Sequence, residues 1–447
     1  MRIGVFHGRR YYLRNFRTAL DELLARGHEL VLATPETKDR QPGTQKWLRD
    51  RDRVSVRLYP NRRADGLDRA VDVLRATRDA ARFELPQLRD DYANRRRALQ
   101  KLARAVGVES GRAQPEDVLP LLPDAFELAR VEALVPPIAP LVDFIRAQRL
   151  DVLLAISRVN FGAPEADVIQ AARTVGVPSA LAVYSWDNLS SKALIHRHPD
   201  RLLVWNEIQV REAAELHGLA AGVAVATGAP RFDPFFALRP SAGRETLLAG
   251  LGLDPDRATI LYLGSSGFVS KREPEFFEAW LSALRAHPDE LLAGANIVVR
   301  PHPGAIDEPA WAGWRPSGER VVRPVVDKRA QNLFDQLSLA DAVVALNTTA
   351  ELEAAIADRP VLTVDAGALA PGQEGSGHFR YLLEEQGGFV EHSETLEEHV
   401  GRLARALESD PQRGARRAFL ERFVRPRGLD VPAGPVLAEA IEQLASA

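Results

Sequence analysis

The sequence predicts an α/β protein made of two doubly wound domains that face a cleft, with a helical insertion in the first domain. Three observations predict this fold class. Short β-branched runs alternate with helical patterns along most of the chain, which is typical of parallel sheets covered by helices. A break at 238–241 separates two such series. In each series polar residues directly follow apolar runs, where open sheets of this class bind ligands.

The composition limits the classes of function. A chain of 447 residues exceeds one ordinary domain, and we expect an N-terminal domain at 1–238, a C-terminal domain at 239–430 and a last helix at 431–447 that crosses back to the first domain. The net charge of −3 gives no basic field, so a nucleic-acid partner is not expected. The absence of cysteine excludes disulfides, thiolate nucleophiles and cysteine-bound zinc.

The chain also carries signals about its location. Residues 2–6 are typical of a strand and not of a signal sequence, and no apolar run has the length needed to span a bilayer. We therefore expect a cytoplasmic protein. The arginine-rich helical insertion at about 65–148 favours either a solvated surface or peripheral contact with anionic lipid at the inner face of the membrane.

The first domain begins with a βαβ pattern, in which a strand at 3–6 leads through the loop 7–10 into a helix at 16–26. Further strands are expected at 29–33, 54–58, 151–156, 179–184, 201–205 and 223–227. The second domain repeats the alternation. Its strands are expected at 259–263, 296–300, 321–322, 342–346 and 361–364, and its helices at 273–286, 331–338, 349–358 and 436–445.

Two polar signatures in the second domain predict an anion site. Arg300 and His302 follow one strand, and Asn347, Thr348 and Thr349 follow another just before a helix. A cation, an imidazole and two hydroxyls near a helix N-terminus favour a phosphate ester, because free amides and the helix dipole attract negative charge. The alternatives are a rigid proline turn whose arginine pairs with a carboxylate, and threonines that only cap the helix.

Three further groups of residues are candidates for the same ligand. The loop with Gly264, Ser265 and Ser266 follows a strand and offers amides and hydroxyls to a phosphate, although short loops of small residues are also common turns. It lacks the dinucleotide fingerprint and the phosphate-loop lysine, so neither NAD binding nor ATP cleavage is expected. Glu351 or Glu353 would accept hydrogen bonds from the diol of a ribose. The alternative is that these first-turn carboxylates only interact favourably with the helix dipole.

A histidine near the end of the second domain completes the candidates there. His378 lies in the loop 375–379 after the last expected strand, where its imidazole would donate to the bound phosphate and stabilise its negative charge. The alternative is a structural histidine at a helix N-terminus.

The first domain supplies candidates for the acceptor side. His7, beside Gly8 in the loop after the first strand, would take a proton from an acceptor hydroxyl. Asp187 is the rival base if burial raises its pKa toward neutrality. Its neighbours Trp186 and Asn188 are assigned to acceptor binding, with the Trp186 ring either stacked on a sugar or part of the core.

Two groups of residues invite a metal interpretation that we reject. The pair His196 and His198 lacks a placed third ligand, and the pair Asp254 and Asp256 lies in a proline turn before a strand. No metal is therefore expected.

The sequence resembles the GT-B type glycosyltransferases, in the broad group of CDP-glycerol glycerophosphotransferase-like and bacterial surface-carbohydrate transferases. The Arg-Pro-His-Pro element and the paired threonines carry the resemblance. Four further stretches resemble uncharacterised bacterial relatives of the group: 185–189, 204–207, 227–233 and 378–382.

The resemblance implies two Rossmann-like domains, the second of which holds the phosphates of a nucleotide-sugar or CDP-alcohol donor. It further implies a cytidine or uridine nucleotide as substrate, no separate cofactor, and a carbohydrate or other hydroxyl acceptor in the first domain. The glycerophosphotransferases carry Ser-Ser where this chain has Thr348 and Thr349 after Asn347, which weighs against glycerol-phosphate chemistry. The alternatives are a nucleotide-sugar epimerase of the UDP-GlcNAc 2-epimerase type and a non-catalytic nucleotide-binding protein.

Overall fold

The computed structural model describes residues 1–36, 44–107, 122, 124–304, 309–327, 329–373 and 377–446. The chain forms two compact units, Met1–Asp233 with Glu421–Ala447, and Pro234–Leu420. The expected helical insertion at about 65–148 is described except for 108–121 and 123, and the part of the expected loop 375–379 at 375 and 376 also lies outside the described residues.

The first unit is built on a parallel sheet of seven strands in the order β3-β2-β1-β4-β5-β6-β7. Apolar side chains cover both faces, as expected for strands buried between helices. The order reverses between β1 and β4, and the carboxyl ends of strands at such a reversal are preferred ligand sites. The strands are β1 Arg2–His7, β2 Glu29–Pro35, β3 Val54–Tyr59, β4 Val152–Ser157, β5 Ser179–Val183, β6 Arg201–Val204 and β7 Ala224–Ala226.

Helices cover both faces of this sheet. The last helix, Ala433–Ala445, packs against Arg17–Ala25 and adds Leu437 and Ile441 to the core. The other α-helices are Asp68–Arg82, Tyr92–Val106, Ala129–Ala133, Ala139–Gln148, Glu165–Thr174, Asn188–Ser191 and Glu207–His217. Short 3-10 helices lie at Arg10–Phe16, Lys46–Leu48 and Pro230–Phe232.

Three arginines of the insertion are buried, which differs from the solvated or lipid-facing surface expected for its helices. Arg75 donates to Glu132 at 2.9 Å and to both carboxylate oxygens of Asp167, while Arg78 pairs with Glu132. Arg82 donates to the main-chain oxygens of Leu189 and Lys192. These side chains join helices of the insertion to one another through Glu132 and to the rest of the first unit through Asp167, Leu189 and Lys192, because buried charges require partners.

The second unit has a parallel sheet of six strands in the order β10-β9-β8-β11-β12-β13. The strands are β8 Thr259–Leu263, β9 Asn296–Arg300, β10 Val321–Val322, β11 Ala342–Ala345, β12 Val361–Val364 and β13 Val390–Ser393. β13 was not expected from the sequence, since its alternating residues Val390 to Ser393 form only a short and polar run. Otherwise the predicted fold class of parallel α/β units is confirmed.

The helices around this sheet bury a core rich in aromatic rings, including Phe277 and Trp280 of one helix. Their bounds are Asp233–Phe236, Arg244–Gly250, Glu273–Arg285, Glu290–Ala293, Pro309–Gly313, Ala330–Leu339, Ala350–Ile356, Leu396–Glu408 and Arg413–Phe423. Further 3-10 helices lie at Gly367–Leu369, Phe379–Leu382 and Glu384–Gln386. None of the helices in the described part of the chain is long and apolar enough to cross a membrane.

Candidate functional site

The loop after β8 lies directly on the turn after β9. The amide nitrogen of Gly264 donates to the main-chain oxygen of Arg300 at 2.8 Å. A Cβ atom at Gly264 would come within 3.0 Å of the Pro301 Cα and 3.1 Å of the His302 nitrogen, so a larger residue would push the two segments apart. The structure therefore brings the predicted Gly264 and Arg300–His302 elements together, as neighbouring parallel strands should.

Ser265 has a different role from the one the sequence indicated. Its amide and its hydroxyl both donate to the buried carboxylate of Glu273, at 2.9 and 2.7 Å. The expectation that Ser265 offers these donors to a phosphate is therefore corrected, because Glu273 already accepts both. Ser266 is half-buried, and its main-chain oxygen accepts from Val269 at 2.9 Å, which closes the turn.

Arg300 is a buried cation held by neutral acceptors. Its guanidinium donates to the side-chain oxygens of Asn332 and Gln336 and to the main-chain oxygen of Asp327. Burial lowers the pKa of Arg300, and the charges of Glu353 and Asp327 act in the opposite direction. Within the described ranges its hydrogen-bond partners are neutral oxygens and no carboxylate forms an ion pair with it.

His302 is half-buried in the turn after β9. Its Nδ1 accepts a hydrogen bond from the Gly304 amide at 3.0 Å. In the neutral ring this arrangement leaves the proton on Nε2, because Nδ1 uses its lone pair for Gly304. In that form Nε2 is the donor nitrogen of the ring.

The residues after β11 form the third side of this edge. Thr348 is half-buried and its hydroxyl accepts from the Ala350 amide at 3.4 Å, a weak capping contact. Thr349 is the N-cap residue by position but makes no side-chain capping bond. Asn347 is buried and donates through Nδ2 to the main-chain oxygen of Gln373 at 3.4 Å.

The two glutamates proposed for a ribose are in different environments. Glu351 is fully buried and accepts from the Thr348 amide at 3.1 Å, so the expectation that it reaches a ribose diol is corrected. Burial raises the pKa of Glu351 to about 8, with the Thr348 amide opposing the shift. Glu353 is half-buried and close enough to Arg300 for its charge to act on the guanidinium.

His378 lies at the N-terminus of the 3-10 helix Phe379–Leu382 and is half-buried. This position matches its structural alternative as well as its predicted phosphate role, which stays a prediction.

In the first unit, His7 is the last residue of β1 and is almost completely buried, and Gly8 beside it is half-buried. Burial lowers the pKa of His7 to about 4; the Arg9 backbone opposes this shift and the Arg10 charge adds to it. The ring is therefore neutral near pH 7 and a weak base. Its role as proton acceptor stays a prediction.

The segment after β5 is held firmly by its own side chains. Asp187 pairs with Lys192 at 3.1 Å and accepts from the side chains of Asn188 and Ser191. Asn188 is fully buried, and its Oδ1 accepts from the Ser185 amide. Only 3% of Trp186 is exposed, so its ring belongs to the core, which is the second of its two alternatives.

Sequence reasoning missed three polar residues that shape these edges. Glu273 binds the loop after β8, and Gln373 donates to the main-chain oxygens of Leu346, directly after β11, and of Val364, the last residue of β12. Glu165 accepts from the Ser157 hydroxyl at 2.6 Å, and burial raises its pKa to about 6, which suits a proton acceptor near neutrality. The start of a helix at Glu273 and at Glu165 was the available signal.

The two rejected metal candidates have other partners. His196 contacts the carboxylates of Asp79 and Glu132 at 3.1 and 3.2 Å. Asp254 accepts from the Asp256 amide and pairs with Arg257. Within the described ranges no group of three or more His, Asp or Glu side chains is placed to hold a metal ion, and the metal-independent site stays a prediction.

No protein-family model matches the sequence, and no curated protein matches it either. The structure is similar to MurG from Acinetobacter baumannii, with 11% identity over 99% of both chains and a TM-score of 0.50. It is also similar to UDP-GlcNAc 2-epimerase from Neisseria meningitidis bound to UDP-GlcNAc, with 9% identity over 99% of this chain and 100% of the other and a TM-score of 0.51. The UDP-GlcNAc 2-epimerase from Methanocaldococcus jannaschii gives 10% identity, 99% and 100% coverage and a TM-score of 0.50.

Sequence identities this low indicate a shared architecture and do not indicate a shared reaction. The chain has the two-unit α/β fold of GT-B glycosyltransferases and the related UDP-GlcNAc 2-epimerases, in agreement with the resemblance of its sequence.

Proposed function

We propose that this protein is a glycosyltransferase that moves a sugar, or a polyol phosphate, from a nucleotide-activated donor to an acceptor hydroxyl. The second unit binds the donor by its phosphates and the first unit binds the acceptor. The donor carries cytidine or uridine, and the reaction proceeds without a metal, on the cytoplasmic side, in the synthesis of a bacterial surface or secondary glycoconjugate.

One observation carries this proposal. Three strand ends of the second sheet meet at one edge, and Gly264 and Arg300 are joined there by a main-chain hydrogen bond. The buried Arg300 has neutral partners for its donors, so an anion at this edge would meet a positive charge that no ion pair in the described ranges cancels. His302 and Thr348 add neutral donors beside it. Such an arrangement favours a phosphate.

The roles of the residues follow from the reaction. In transfer of a sugar, the acceptor oxygen bonds to the anomeric carbon while the bond from that carbon to the phosphate oxygen breaks, and the leaving nucleotide keeps that electron pair. In transfer of a polyol phosphate, the acceptor oxygen bonds instead to the phosphorus of that group, and the bond from this phosphorus to the bridging oxygen breaks with its electron pair going to the leaving nucleotide. Arg300, His302, Thr348 and Thr349 stabilise the negative charge that develops on the nucleotide. His7, or failing it Asp187, accepts the acceptor proton. Direct displacement of this kind inverts the anomeric carbon.

Nucleotide binding tests the donor site first. Thermal-shift and calorimetric titrations with CMP, CDP, UDP, GDP and TDP should identify a ligand that raises the melting temperature, because such a ligand binds only the folded state. H302A should weaken binding of that nucleotide. H287A is the matched control, since His287 makes the same contact with the amide two residues later, Nδ1 to Asp289 at 3.2 Å. Equal effects of both variants, or no binding of any nucleotide, would refute the donor site.

The second candidate is a nucleotide-sugar epimerase, which the similarity to the Neisseria meningitidis enzyme favours at the level of fold. An epimerase needs acid and base groups on both faces of the sugar and no acceptor. Incubation of the nucleotide-sugar alone separates the two: a new sugar without acceptor supports the epimerase, whereas turnover that requires an acceptor supports transfer. Tight binding without turnover in either assay supports a non-catalytic nucleotide-binding protein.

A further inference from the structure

Three tyrosines and an arginine, here named the Tyr–Arg cluster, lie at the carboxyl edge of the first sheet. Tyr11 and Tyr12 follow β1, Arg158 follows β4 and Tyr184 follows β5. These strands are neighbours in the parallel sheet, so the residues that follow them share one edge. The functions assigned above use none of the four residues.

The rings of the cluster pack in a continuous series. The centroids of Tyr11 and Tyr12 are 4.8 Å apart with perpendicular rings, and those of Tyr12 and Tyr184 are 5.0 Å apart. The Tyr12 hydroxyl accepts from Asn160 at 3.3 Å. Tyr12 and Tyr184 are buried, whereas 42% of Tyr11 is exposed. The series therefore runs from the core to an exposed aromatic ring.

Arg158 adds a charge to this series. Its guanidinium carbon lies 5.6 Å from the centre of the Tyr184 ring, within the range of a cation–π contact. Burial opposes its charge, but a hydrogen bond with Tyr11 and the attraction of Tyr12 and Asp187 raise the pKa of Arg158 overall. The side chain is thus fixed beside the exposed ring and stays cationic.

The hydrogen-bonding capacity of Arg158 is not filled by the protein described here. It forms no ion pair with any carboxylate in the described ranges, and its buried Nε has no hydrogen-bond partner there. The neighbouring cation, Lys192, is instead neutralised by Asp187 at 3.1 Å. The Nε is buried, but the side chain as a whole is only half-buried, and a guanidinium with unfilled donors besides its Tyr11 contact matches a carboxylate or phosphate.

The backbone next to Arg158 is strained. Val159 has a φ of 51°, a conformation that β-branched residues strongly disfavour. Two hydrogen bonds hold it there, from its amide to the Ser157 hydroxyl at 2.8 Å and from the Ala193 amide to its oxygen at 2.8 Å. Strain of this kind persists where the surrounding structure fixes a nearby group, and it is concentrated at functional sites.

We propose that the Tyr–Arg cluster binds an acceptor sugar that carries an oxyanion, with the anionic group on Arg158 and the sugar ring on the face of Tyr11. This inference rests on the proposed function and names the chemical class of its acceptor. The shared chemistry is a carboxylate or phosphate attached to a sugar ring. An exposed aromatic ring packs against the apolar face of a sugar, and the planar guanidinium forms paired hydrogen bonds with such an oxyanion.

Binding of simple sugars to the full chain tests the proposal. Glucuronate, glucose 6-phosphate and neutral glucose are titrated by ligand-observed NMR and calorimetry, and inorganic phosphate is titrated as an oxyanion without a ring. At least one anionic sugar should bind about tenfold more tightly than glucose, the gain expected of a charge-assisted hydrogen-bond pair. Comparison of the two anionic sugars identifies the carboxylate or the phosphate as the favoured group.

Variants assign the binding to the cluster. R158M should remove the preference for the anionic sugar, and R158K should retain part of it. Y11A should weaken binding of the anionic sugar more than it weakens binding of inorganic phosphate. R211M is the control, because Arg211 is an exposed arginine on another helix of the same unit. The proposal is overturned if wild-type protein binds glucose with the same affinity as it binds both anionic sugars. It is also overturned if R158M and R211M show the same preference for the anionic sugar.

The same samples separate this inference from the proposed function. R158M should bind the selected nucleotide with unchanged affinity, because no residue of the second unit is altered. A wild-type protein that binds anionic sugar but no nucleotide would refute the donor proposal and leave the acceptor inference supported. A protein that binds nucleotide but shows no preference for an anionic sugar would refute the inference alone.

Discussion

The carboxylate of Glu273 accepts both polar donors of Ser265: its two oxygens lie 2.9 and 3.0 Å from the Ser265 amide nitrogen, and one lies 2.7 Å from the hydroxyl. The Tyr262 hydroxyl donates to the same carboxylate at 3.3 Å. Glu273 thereby joins the end of β8, the loop after it and the first turn of the next helix. Because Gly264 lies directly on the turn after β9, Glu273 indirectly sets the distance between the two strand ends.

We predict that E273A weakens nucleotide binding by roughly ten- to hundredfold, since small displacements of a binding group have effects of that size. E273Q should bind nearly as well as wild type, because its oxygen still accepts from the Ser265 amide and its nitrogen donates to the hydroxyl. Calorimetric titration with the selected nucleotide measures both variants.

The control for Glu273 is Asp341, which binds the opposite end of β8. Asp341 accepts from the Thr259 amide at 2.8 Å and from Arg244 at 2.9 Å. D341A should lower the melting temperature without changing the nucleotide affinity. If E273A also changes only the melting temperature, Glu273 supports the fold and does not position the loop.

Glu351 should make the stability of the protein fall as the pH rises. Burial raises its pKa from 4.5 to about 8 in the folded state, so between these values the folded protein holds a proton that the unfolded chain releases. The contribution of Glu351 to the unfolding free energy therefore decreases from about pH 4.5 to pH 8 and then levels. E351Q has no ionisable group at this position and should lose this part of the slope. Urea unfolding of both proteins between pH 5 and 9 measures it, and parallel profiles would contradict the prediction.

Arg300 should carry the response of the protein to inorganic pyrophosphate. A buried cation with neutral partners gains an ion pair when an anion binds, so pyrophosphate should raise the melting temperature of wild type. R300M keeps much of the buried volume but no charge, and its melting temperature should not respond. R323M is the control, because Arg323 follows β10 and donates to the main-chain oxygens of Trp311 and Trp314. An equal response of R300M and wild type would place the anion elsewhere.

Asp233 should be a major contributor to the stability of the first unit. It accepts from Thr18, Arg425 and the amides that begin the last helix, Ala433 and Gly434. D233A leaves a buried arginine and two amides without their acceptor, so we expect a loss of about 3–5 kcal/mol in the unfolding free energy. D430A, at an exposed position of the same unit, should change it by less than about 0.5 kcal/mol. Urea unfolding compares the two, and a loss as small as that of D430A would contradict the role of Asp233.

Much of the fold and part of the candidate site follow from sequence alone. The alternation of β-branched runs with helical patterns predicts parallel sheets, and parallel strands bring their carboxyl ends to one edge, which is why Gly264 and Arg300 are neighbours. β13 was not predicted, because its run of residues is short and polar. It is a strand because it pairs with β12.

The sequence by itself determined the two sheets and the edge on which their polar residues gather, because periodicity and chain direction are local properties of the chain. Only the tertiary structure decided where those side chains point. Ser265 donates to Glu273, Trp186 enters the core, and Glu351 is buried beside Thr348. The partner of Ser265 and the burial of the Trp186 ring depend on how segments pack in three dimensions. The pattern of residues along the chain does not contain that information.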